Sequence, residues 1–215
     1  MKHNPNARTK AFGGLYAITP DEADTAELLR KVRLVLMGGA RLLQYRNKAA
    51  DSALRQEQAG VLRGLTRKYA AMLIVNDEVA LAQHVEADGV HLGGADGSVA
   101  EARAALGSDK IIGVSCYNRL SLASEAVLQG ADYVAFGSFF SSAVKPEAVS
   151  ATPDFLRQAR FELAVPIVTI GGITPQNAVG LLESGADALA VISAVFAVPD
   201  IEGAAREFSN LFEQG

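Results

Sequence analysis

The sequence predicts a single-domain (β/α)8 barrel of the α/β class, and three observations lead to this prediction. Short apolar segments rich in Val, Ile and Leu recur eight times, and they are too continuous for a sheet with one solvated face. Amphipathic segments with apolar residues at three- and four-residue spacing lie between them. The two kinds of segment alternate every roughly 20 to 30 residues, which is typical of parallel β/α architecture. An open doubly wound sheet is the alternative, but no GxGxxG motif follows the first predicted strand.

Four of the predicted strands follow one sequence pattern. A helical stretch ends, Ala and a polar residue follow, and a short apolar run begins. Glycine precedes the Ala in three of them, and Glu86 takes its place in the fourth. The four segments are MGGARLLQYR, VEADGVHLGG, QGADYVAFGSFF and SGADALAVISAVF. The strands between them are predicted in GLYAITP, AMLIVND, KIIGVSC and PIVTIGG.

Length and composition predict one domain in a reducing compartment. The chain has 215 residues, of which 49% are apolar and 20% charged, enough for one substantial core. We expect a flexible tail at 1–12 and the barrel at 13–215. The net charge of −4 does not favour nucleic acid, and no apolar run reaches the roughly 20 residues that span a bilayer. With a single cysteine, Cys116, and no secretory signal, the expected location is cytoplasmic; the assembly state, including a homo-oligomer, stays open.

Polar residues follow nearly every predicted strand. In barrel enzymes the chemistry lies at the carboxyl ends of the strands, which meet at one rim. The amino ends, by contrast, carry ordinary glycines, prolines and alanines, so the sequence predicts a site at the carboxyl end. The residues at these carboxyl ends are Gln44, Arg46, Lys48, Asn76, Asp77, His91, Asp96, Ser115, Ser141, Ser142, Lys145, Gly171, Gly172 and Ser193.

The segment after the second strand predicts an anion site. Gln44, Arg46 and Lys48 alternate and therefore share a face of an extended chain. A planar Arg fork and a Lys point charge together suit a diphosphate, and Lys145 on another loop adds a third cation. A salt-bridged rim is the alternative.

Two carboxylates are candidate ligands for Mg²⁺. Asp77 and Asp96 could hold the ion if water and substrate phosphate oxygens completed its coordination. The alternatives are that Asp77 caps a helix starting at Glu78 and that Asp96 is a turn residue.

The ends of the last two strands predict a second anion site. Gly171 and Gly172 would let backbone amides approach phosphate oxygens, and Ser193 could begin a short helix whose N-terminus faces the anion. A tight, closely packed turn is the alternative. The long polar loop 138–152 could close over bound phosphate with Lys145.

No nucleophile paired with a base is visible in the sequence. His84 is predicted on a helix, His91 as a packed or orienting group, and Cys116 as a buried apolar residue. Any reaction at the predicted anion sites would therefore depend on charge stabilisation and positioning.

An ordered set of motifs from about Gly14 to Phe212 resembles the thiamine phosphate synthase family. The motifs are QYRNK, VND, GVHLGGAD, GVSCYN, YVAFGSFF, VKPEA, IGGIT and AVISAVF. The resemblance implies a transferase that joins a pyrimidine-methyl diphosphate to a thiazole phosphate and releases pyrophosphate with the help of Mg²⁺. Diphosphate would leave first, and the thiazole nitrogen would then attack the resulting cation.

The resemblance also implies roles for individual residues. The pyrimidine diphosphate would contact Gln44, Tyr45, Arg46, Asn47, Lys48, Asn76, Ser115 and Lys145. Four of these, Arg46, Lys48, Ser115 and Lys145, would be catalytic. The thiazole phosphate would contact Ser142, Ala143, Val144, Gly172, Ile192 and Ser193. Asp77 and Asp96 would bind Mg²⁺.

The loop after the sixth strand departs from the family. Val144 stands where the family usually has a hydroxyl, so we expect weaker thiazole phosphate binding or altered loop closure. Two alternative functions remain: a thiazole tautomerase of the same fold, and a non-catalytic sensor of phosphate ligands.

Overall fold

The computed structural model describes residues 12–93, 97–140 and 151–213. Strands and helices alternate along these residues. The strands are β1 Gly14–Ile18, β2 Leu42–Tyr45, β3 Met72–Asn76, β4 Gly89–Leu92, β5 Ile111–Tyr117, β6 Tyr133–Gly137, β7 Ile167–Ile170 and β8 Ala188–Val191. The helices are α1 Thr25–Met37, α2 Ser52–Lys68, α3 Val79–His84, α4 Val99–Leu106, α5 Leu120–Leu128, α6 Pro153–Glu162, α7 Pro175–Glu183, α8 Ser193–Phe196 and α9 Ile201–Asn210.

The strands form a closed parallel barrel in chain order. Closure is made by β1 and β8, which pair from Gly14 opposite Ala188 to Ala17 opposite Val191. An open sheet would leave these two strands as edges, so the predicted barrel is confirmed and the doubly wound alternative is wrong.

Alternation along each strand separates two apolar layers. One set of side chains fills the barrel interior, including Tyr16, Leu42, Ile74 and Val168. The other set packs between the sheet and the helices, where Cys116 is fully buried as predicted. His84 ends α3, which confirms its predicted place on a helix.

The barrel begins one residue earlier than predicted. Phe12, assigned to the tail from the sequence, is 4% exposed, and its ring stacks on Tyr133 with centroids 4.3 Å apart. It belongs to the apolar cluster inside the barrel. Residues 1–11 lie outside the described part of the chain.

The amino ends of the strands are not ordinary, contrary to the prediction. Asp88, Asp132 and Asp187 precede β4, β6 and β8, and each accepts a backbone N–H from the preceding strand at 2.7–2.8 Å. Each also pairs with an arginine on a helix. These pairs are Arg63–Asp88, Arg103–Asp132 and Arg160–Asp187.

These aspartates explain three of the four repeated sequence segments. A carboxylate before an even-numbered strand joins that strand to its neighbour and to a helix. In the segment before β2, Arg41 occupies the corresponding position.

Within the described residues, every helix is too short or too polar to cross a membrane.

Candidate active site

The loops after β2 and β3 enclose a cavity at the carboxyl end of the barrel. Its volume is about 370 Å³. It is lined by Tyr45, Arg46, Asn47, Lys48, Arg55, Val75, Asn76, Asp77, Glu78 and Leu81. The predicted cations, the amide of Asn76 and one predicted metal ligand therefore border the same space.

The loop after β2 is held by residues that follow β1. The Thr19 hydroxyl accepts the Arg46 N–H and donates to the Arg46 carbonyl, both at 2.8 Å. The Lys48 N–H donates to the Asp21 carboxylate at 2.8 Å. Because the backbone is anchored in this way, both cationic side chains can face the cavity.

The two cations are only loosely paired. Arg46 Nη1 lies 3.6 Å from Asp21 Oδ1, and Lys48 Nζ lies 3.9 Å from Asp77 Oδ2. The Lys48 side chain is 60% exposed. Such pairs contribute little to stability, so the cations can exchange these partners for a substrate anion.

Tyr45 and Asn47 border the cavity, but their polar side-chain groups are already engaged. The Tyr45 hydroxyl donates to Gln58 Oε1 at 2.9 Å. The Asn47 amide donates to the Glu22 carbonyl at 2.7 Å and to Gln58 Oε1 at 3.0 Å. The contact of these two residues with substrate stays a prediction, and their backbone N–H and C=O groups would make it.

Asp77 does not cap the helix that follows it, so the capping alternative is wrong. Helix α3 begins at Val79 and has Glu78 as its N-cap. Asp77 takes a left-handed conformation with φ +61°. Its Oδ1 accepts the Gly93 N–H at 3.1 Å, and its Oδ2 accepts the Asn76 amide N–H at 2.6 Å. These bonds hold the carboxylate beside Lys48.

The donor chemistry around Asp77 suits a hard cation. A carboxylate and the side-chain oxygen of Asn76 are oxygen ligands of the kind that Mg²⁺ prefers. Asp96 lies outside the described residues. Across 12–93, 97–140 and 151–213, no three His, Cys, Asp or Glu side chains cluster as a metal site. An ion at Asp77 would therefore take its remaining ligands from Asp96, water or substrate.

Ser115 is part of the barrel interior, and His91 orients it. Ser115 Oγ lies 2.8 Å from His91 Nε2. Burial lowers the pKa of His91 to about 4, so the imidazole is neutral at pH 7 and is an orienting group, as predicted. Strand β5 was expected to end at Ser115, but it continues to Tyr117 through an irregularity in its pairing with β6.

The ends of β7 and β8 have the predicted backbone features. Gly171 and Gly172 adopt φ of +105° and +63°, which glycine tolerates without strain. Ser193 is the first residue of the short helix α8, with Ile192 as its N-cap. The first N–H groups of a helix have no acceptor within it and can face a ligand.

The loop after β6 starts beside this turn. The Phe140 N–H donates to the Gly171 carbonyl at 3.0 Å, and the Ala151 N–H donates to the Ser138 carbonyl at 2.8 Å. The predicted contacts at Ser142, Ala143, Val144 and Lys145 lie outside the described residues, as does Ser141.

Several residues at or below the mouth were missed by sequence reasoning. Arg55, on α2, borders the cavity and lies 3.1 Å from Glu78. Tyr16 and Tyr133 project into the barrel interior beneath Gln44 and Ser115. The signal for the tyrosines was available, since each stands at an inward position of a strand where an apolar residue is usual.

A closed parallel barrel with cations, carboxylates and glycine turns at the carboxyl ends of its strands is the arrangement of a (β/α)8-barrel enzyme. The family model described as "Thiamine monophosphate synthase" matches residues 15–195. The thiamine-phosphate synthase of Methylobacillus flagellatus is 55% identical, covering 93% of this chain and 95% of its own. That of Nitrosospira multiformis is 51% identical, covering 100% and 92%.

A solved structure agrees with the sequence relatives. Thiamine phosphate pyrophosphorylase from Pyrococcus furiosus has a TM-score of 0.85 and 37% identity, with 97% of this chain and 98% of that chain covered. This chain belongs to the thiamine-phosphate synthase family. Its activity is that of a transferase of thiamine biosynthesis, which confirms the prediction from sequence.

Proposed function

We propose that the chain joins a pyrimidine-methyl diphosphate to a thiazole phosphate at the barrel mouth, with Mg²⁺, and releases pyrophosphate. The cavity bordered by Arg46, Lys48 and Asp77 carries this proposal. Two loosely paired cations beside a carboxylate form a place where a diphosphate and a divalent ion can be bound together. Lys145, from the loop after β6, would add a third cation.

The cations would act on the leaving group. The bond between the methylene carbon and the diphosphate oxygen breaks, and both electrons go to the oxygen. Arg46, Lys48 and Lys145 stabilise the charge that grows there. A hydrogen bond to a charged group contributes roughly 1.5–3 kcal/mol, which corresponds to about tenfold or more in rate.

The second step needs no base. The thiazole nitrogen attacks the pyrimidine-methyl cation through its lone pair, so no proton has to be removed. The neutral, buried state of His91 supports this mechanism, since an imidazole with a pKa of about 4 is a weak base. Gln44 and Ser115 would orient the pyrimidine from the barrel interior.

Asp77 and Asp96 would hold Mg²⁺, which supplies positive charge against the diphosphate oxygens. The fixed position of the Asp77 carboxylate supports this assignment, because two N–H donors orient it toward the cavity. Asn76 would contact the diphosphate, and it also holds the Asp77 carboxylate, to which it donates.

The thiazole phosphate would bind at the ends of β7 and β8. The backbone N–H groups at Gly172, Ile192 and Ser193 would donate to its oxygens, together with Ser142, Ala143 and Val144.

The proposal extends to location and alternatives. The free, buried thiol of Cys116 supports a cytoplasmic location. The tautomerase and sensor alternatives lose support, because the relatives at 55% and 51% identity are synthases.

The test is synthesis of thiamine phosphate by the purified protein, followed by oxidation to fluorescent thiochrome, while Mg²⁺ is varied. We expect metal-dependent product. Asp77→Asn should raise the Mg²⁺ concentration needed for half-maximal rate about tenfold or more, because it removes one anionic ligand. Glu78→Gln is the matched control, since it removes a neighbouring carboxylate that is paired with Arg55.

Three outcomes would count against the proposal. Metal-independent synthesis would exclude Mg²⁺, and the absence of product would exclude the coupling reaction. An equal shift in Asp77→Asn and Glu78→Gln would mean that general charge, rather than ligation by Asp77, sets the metal requirement.

A further inference from the structure

A chain of hydrogen bonds crosses the barrel interior and joins two residues at the mouth. Gln44 Nε2 lies 2.9 Å from the Tyr16 hydroxyl, which lies 2.9 Å from the Tyr133 hydroxyl. Tyr133 is 2.8 Å from His91 Nδ1, and His91 Nε2 is 2.8 Å from Ser115 Oγ. These five residues, here called the interior chain, come from β2, β1, β6, β4 and β5.

The interior chain is deeply buried. Tyr16 and Tyr133 are 1% and 0% exposed, and Gln44 and His91 are 3% and 8% exposed. Burial raises the pKa of both phenols above their usual range. His91 is buried beside them, and its two ring nitrogens face hydroxyls rather than carboxylates. Both tyrosines and the imidazole are therefore neutral, and each of the three has one proton to donate.

For a given orientation of the Gln44 amide, burial fixes the direction of every other bond. The Gln44 amide donates to Tyr16. The Tyr16 proton must then go to Tyr133, because a buried hydroxyl needs an acceptor. The Tyr133 proton goes to His91 Nδ1, which leaves the imidazole proton on Nε2 to be donated to Ser115. Ser115 keeps its own proton for the mouth, and Gln44 keeps its carbonyl oxygen.

Rotation of the Gln44 amide by half a turn would reverse all four bonds. Ser115 would then donate inward to His91 and present only lone pairs to the mouth, while Gln44 would present N–H groups. The two ends are therefore linked: a ligand group that selects the orientation of Gln44 also selects what Ser115 offers.

We propose that Tyr16, Tyr133 and His91 are positioning residues that couple Gln44 to Ser115, so that the two present matched hydrogen-bonding groups to the pyrimidine substrate. This inference rests on the proposed pyrimidine diphosphate site. An aminopyrimidine carries N–H donors beside ring-nitrogen acceptors, and a linked pair of protein groups discriminates such a ring from one with another donor order. The three connecting residues act through their partners rather than by touching substrate.

The surrounding sequence leaves room for this arrangement. A Cβ on Gly113 would lie 1.9 Å from Cζ of Tyr133, so glycine is needed at this position of β5 for the phenol to cross the interior. The Tyr133 ring stacks between two other rings, with its centroid 4.3 Å from that of Phe12 and 5.6 Å from that of His91. Removal of the Tyr133 hydroxyl alone should leave this stacking in place.

The test is a double-mutant cycle between the two ends of the interior chain. Tyr16→Phe and Ser115→Ala remove groups that do not touch each other, since Tyr133 and His91 lie between them. The readouts are the Kd for pyrimidine-methyl diphosphate with Mg²⁺, which needs no turnover, and kcat and KM for both substrates. Residues without shared partners give additive effects within roughly twofold.

We expect the two substitutions to be coupled by more than about threefold in Kd. Tyr133→Phe should weaken binding of the pyrimidine diphosphate roughly tenfold, because it removes the central hydroxyl of the interior chain. KM for thiazole phosphate should stay unchanged. Thr66→Val is the matched control: it removes a buried hydroxyl on α2 that donates to the Arg63 carbonyl, and it should leave Kd unchanged.

The outcomes separate this inference from the proposed function. If the wild type binds the diphosphate but the two losses are additive, the coupling is absent and the inference is overturned. If the wild type does not bind it, the proposed function fails and the inference fails with it. Equal weakening in Tyr133→Phe and Thr66→Val would also overturn it, since any loss of a buried hydroxyl would then suffice.

A measurement on the wild type tests the same point without any substitution at the tyrosines. NMR of the histidine ring nitrogens distinguishes the two neutral tautomers, and the chain contains 3 histidines. We expect His91, assigned by comparison with His91→Gln, to carry its proton on Nε2 alone at pH 7. A mixture of both tautomers would contradict a single direction of the hydrogen bonds in the interior chain.

Discussion

The two ends of the barrel carry ion pairs of different kinds. At the amino end, Asp88 and Asp132 each pair closely with an arginine and also accept a strand N–H, and the Asp132 side chain is 8% exposed. At the carboxyl end, Arg46 and Lys48 lie 3.6 and 3.9 Å from their carboxylate partners, and the Lys48 side chain is 60% exposed.

The difference separates charges that stabilise the fold from charges that are available to a ligand. A buried carboxylate with its hydrogen bonds satisfied cannot leave its arginine without a large loss of free energy. A partly or fully exposed cation at 3.6 Å or more from its partner, such as Arg46 at 32% or Lys48 at 60% exposure, loses little when it turns to another anion. We therefore expect substitutions at the amino end to change stability, and those at the carboxyl end to change activity.

The largest expected effect is on stability at the amino end. Asp132→Ala should lower the free energy of unfolding by about 3–5 kcal/mol, because it leaves Arg103 without its buried partner and the Ile112 N–H without an acceptor. Urea unfolding followed by circular dichroism measures it, and KM for both substrates should not change.

The matched control is Asp154→Ala. Asp154 is paired with Arg157 on the surface of α6, and its side chain is 88% exposed. Its removal should change the free energy of unfolding by less than about 1 kcal/mol. Equal losses in the two variants would contradict the distinction between buried and exposed pairs.

The next effect is on activity at the carboxyl end. Arg46→Ala should lower kcat/KM for the pyrimidine diphosphate roughly 10- to 100-fold, since it removes a charge-assisted contact to the leaving group. Its free energy of unfolding should stay within about 1 kcal/mol of the wild type. Steady-state kinetics and urea unfolding on the same preparation test both parts.

Arg67→Ala serves as the control for loss of one positive charge. Arg67 pairs with Glu86 on the surface, and its side chain is 55% exposed. A loss of kcat/KM in this variant as large as that in Arg46→Ala would show that overall charge, and not the position of Arg46, determines the rate.

The carboxyl end was more predictable from sequence than the amino end. Gln44, Arg46 and Lys48 lie within five consecutive residues, so their common face follows from strand geometry alone. The arginine–aspartate pairs join residues such as Arg63 and Asp88 that are distant in sequence. Local patterns do not indicate which helix lies beside which strand end, although three repeated aspartates were visible.

The features of the site that the sequence did not specify have the same origin. Tyr45 and Asn47 border the cavity, but their side-chain groups bond to Gln58 from α2. Asp77 has the position of a helix cap, yet its φ of +61° and the Gly93 N–H direct its carboxylate elsewhere. Each outcome depends on a partner from another element, which sequence spacing does not specify.

The smallest expected effect is on KM for the pyrimidine diphosphate. It tests whether Asp21 is an exchangeable partner of Arg46 or a structural one. Asp21 accepts the Lys48 N–H at 2.8 Å and lies 3.6 Å from Arg46 Nη1. Asp21→Asn keeps an oxygen for the N–H but removes the charge that competes with diphosphate for Arg46. We expect KM for the pyrimidine diphosphate to stay unchanged or to fall by up to about threefold, and the free energy of unfolding to change by less than about 1 kcal/mol. A tenfold rise in KM would mean that Asp21 holds Arg46 in its binding position. The pairs at the carboxyl end would then be as structural as those at the amino end, and the contrast between the two ends would fail.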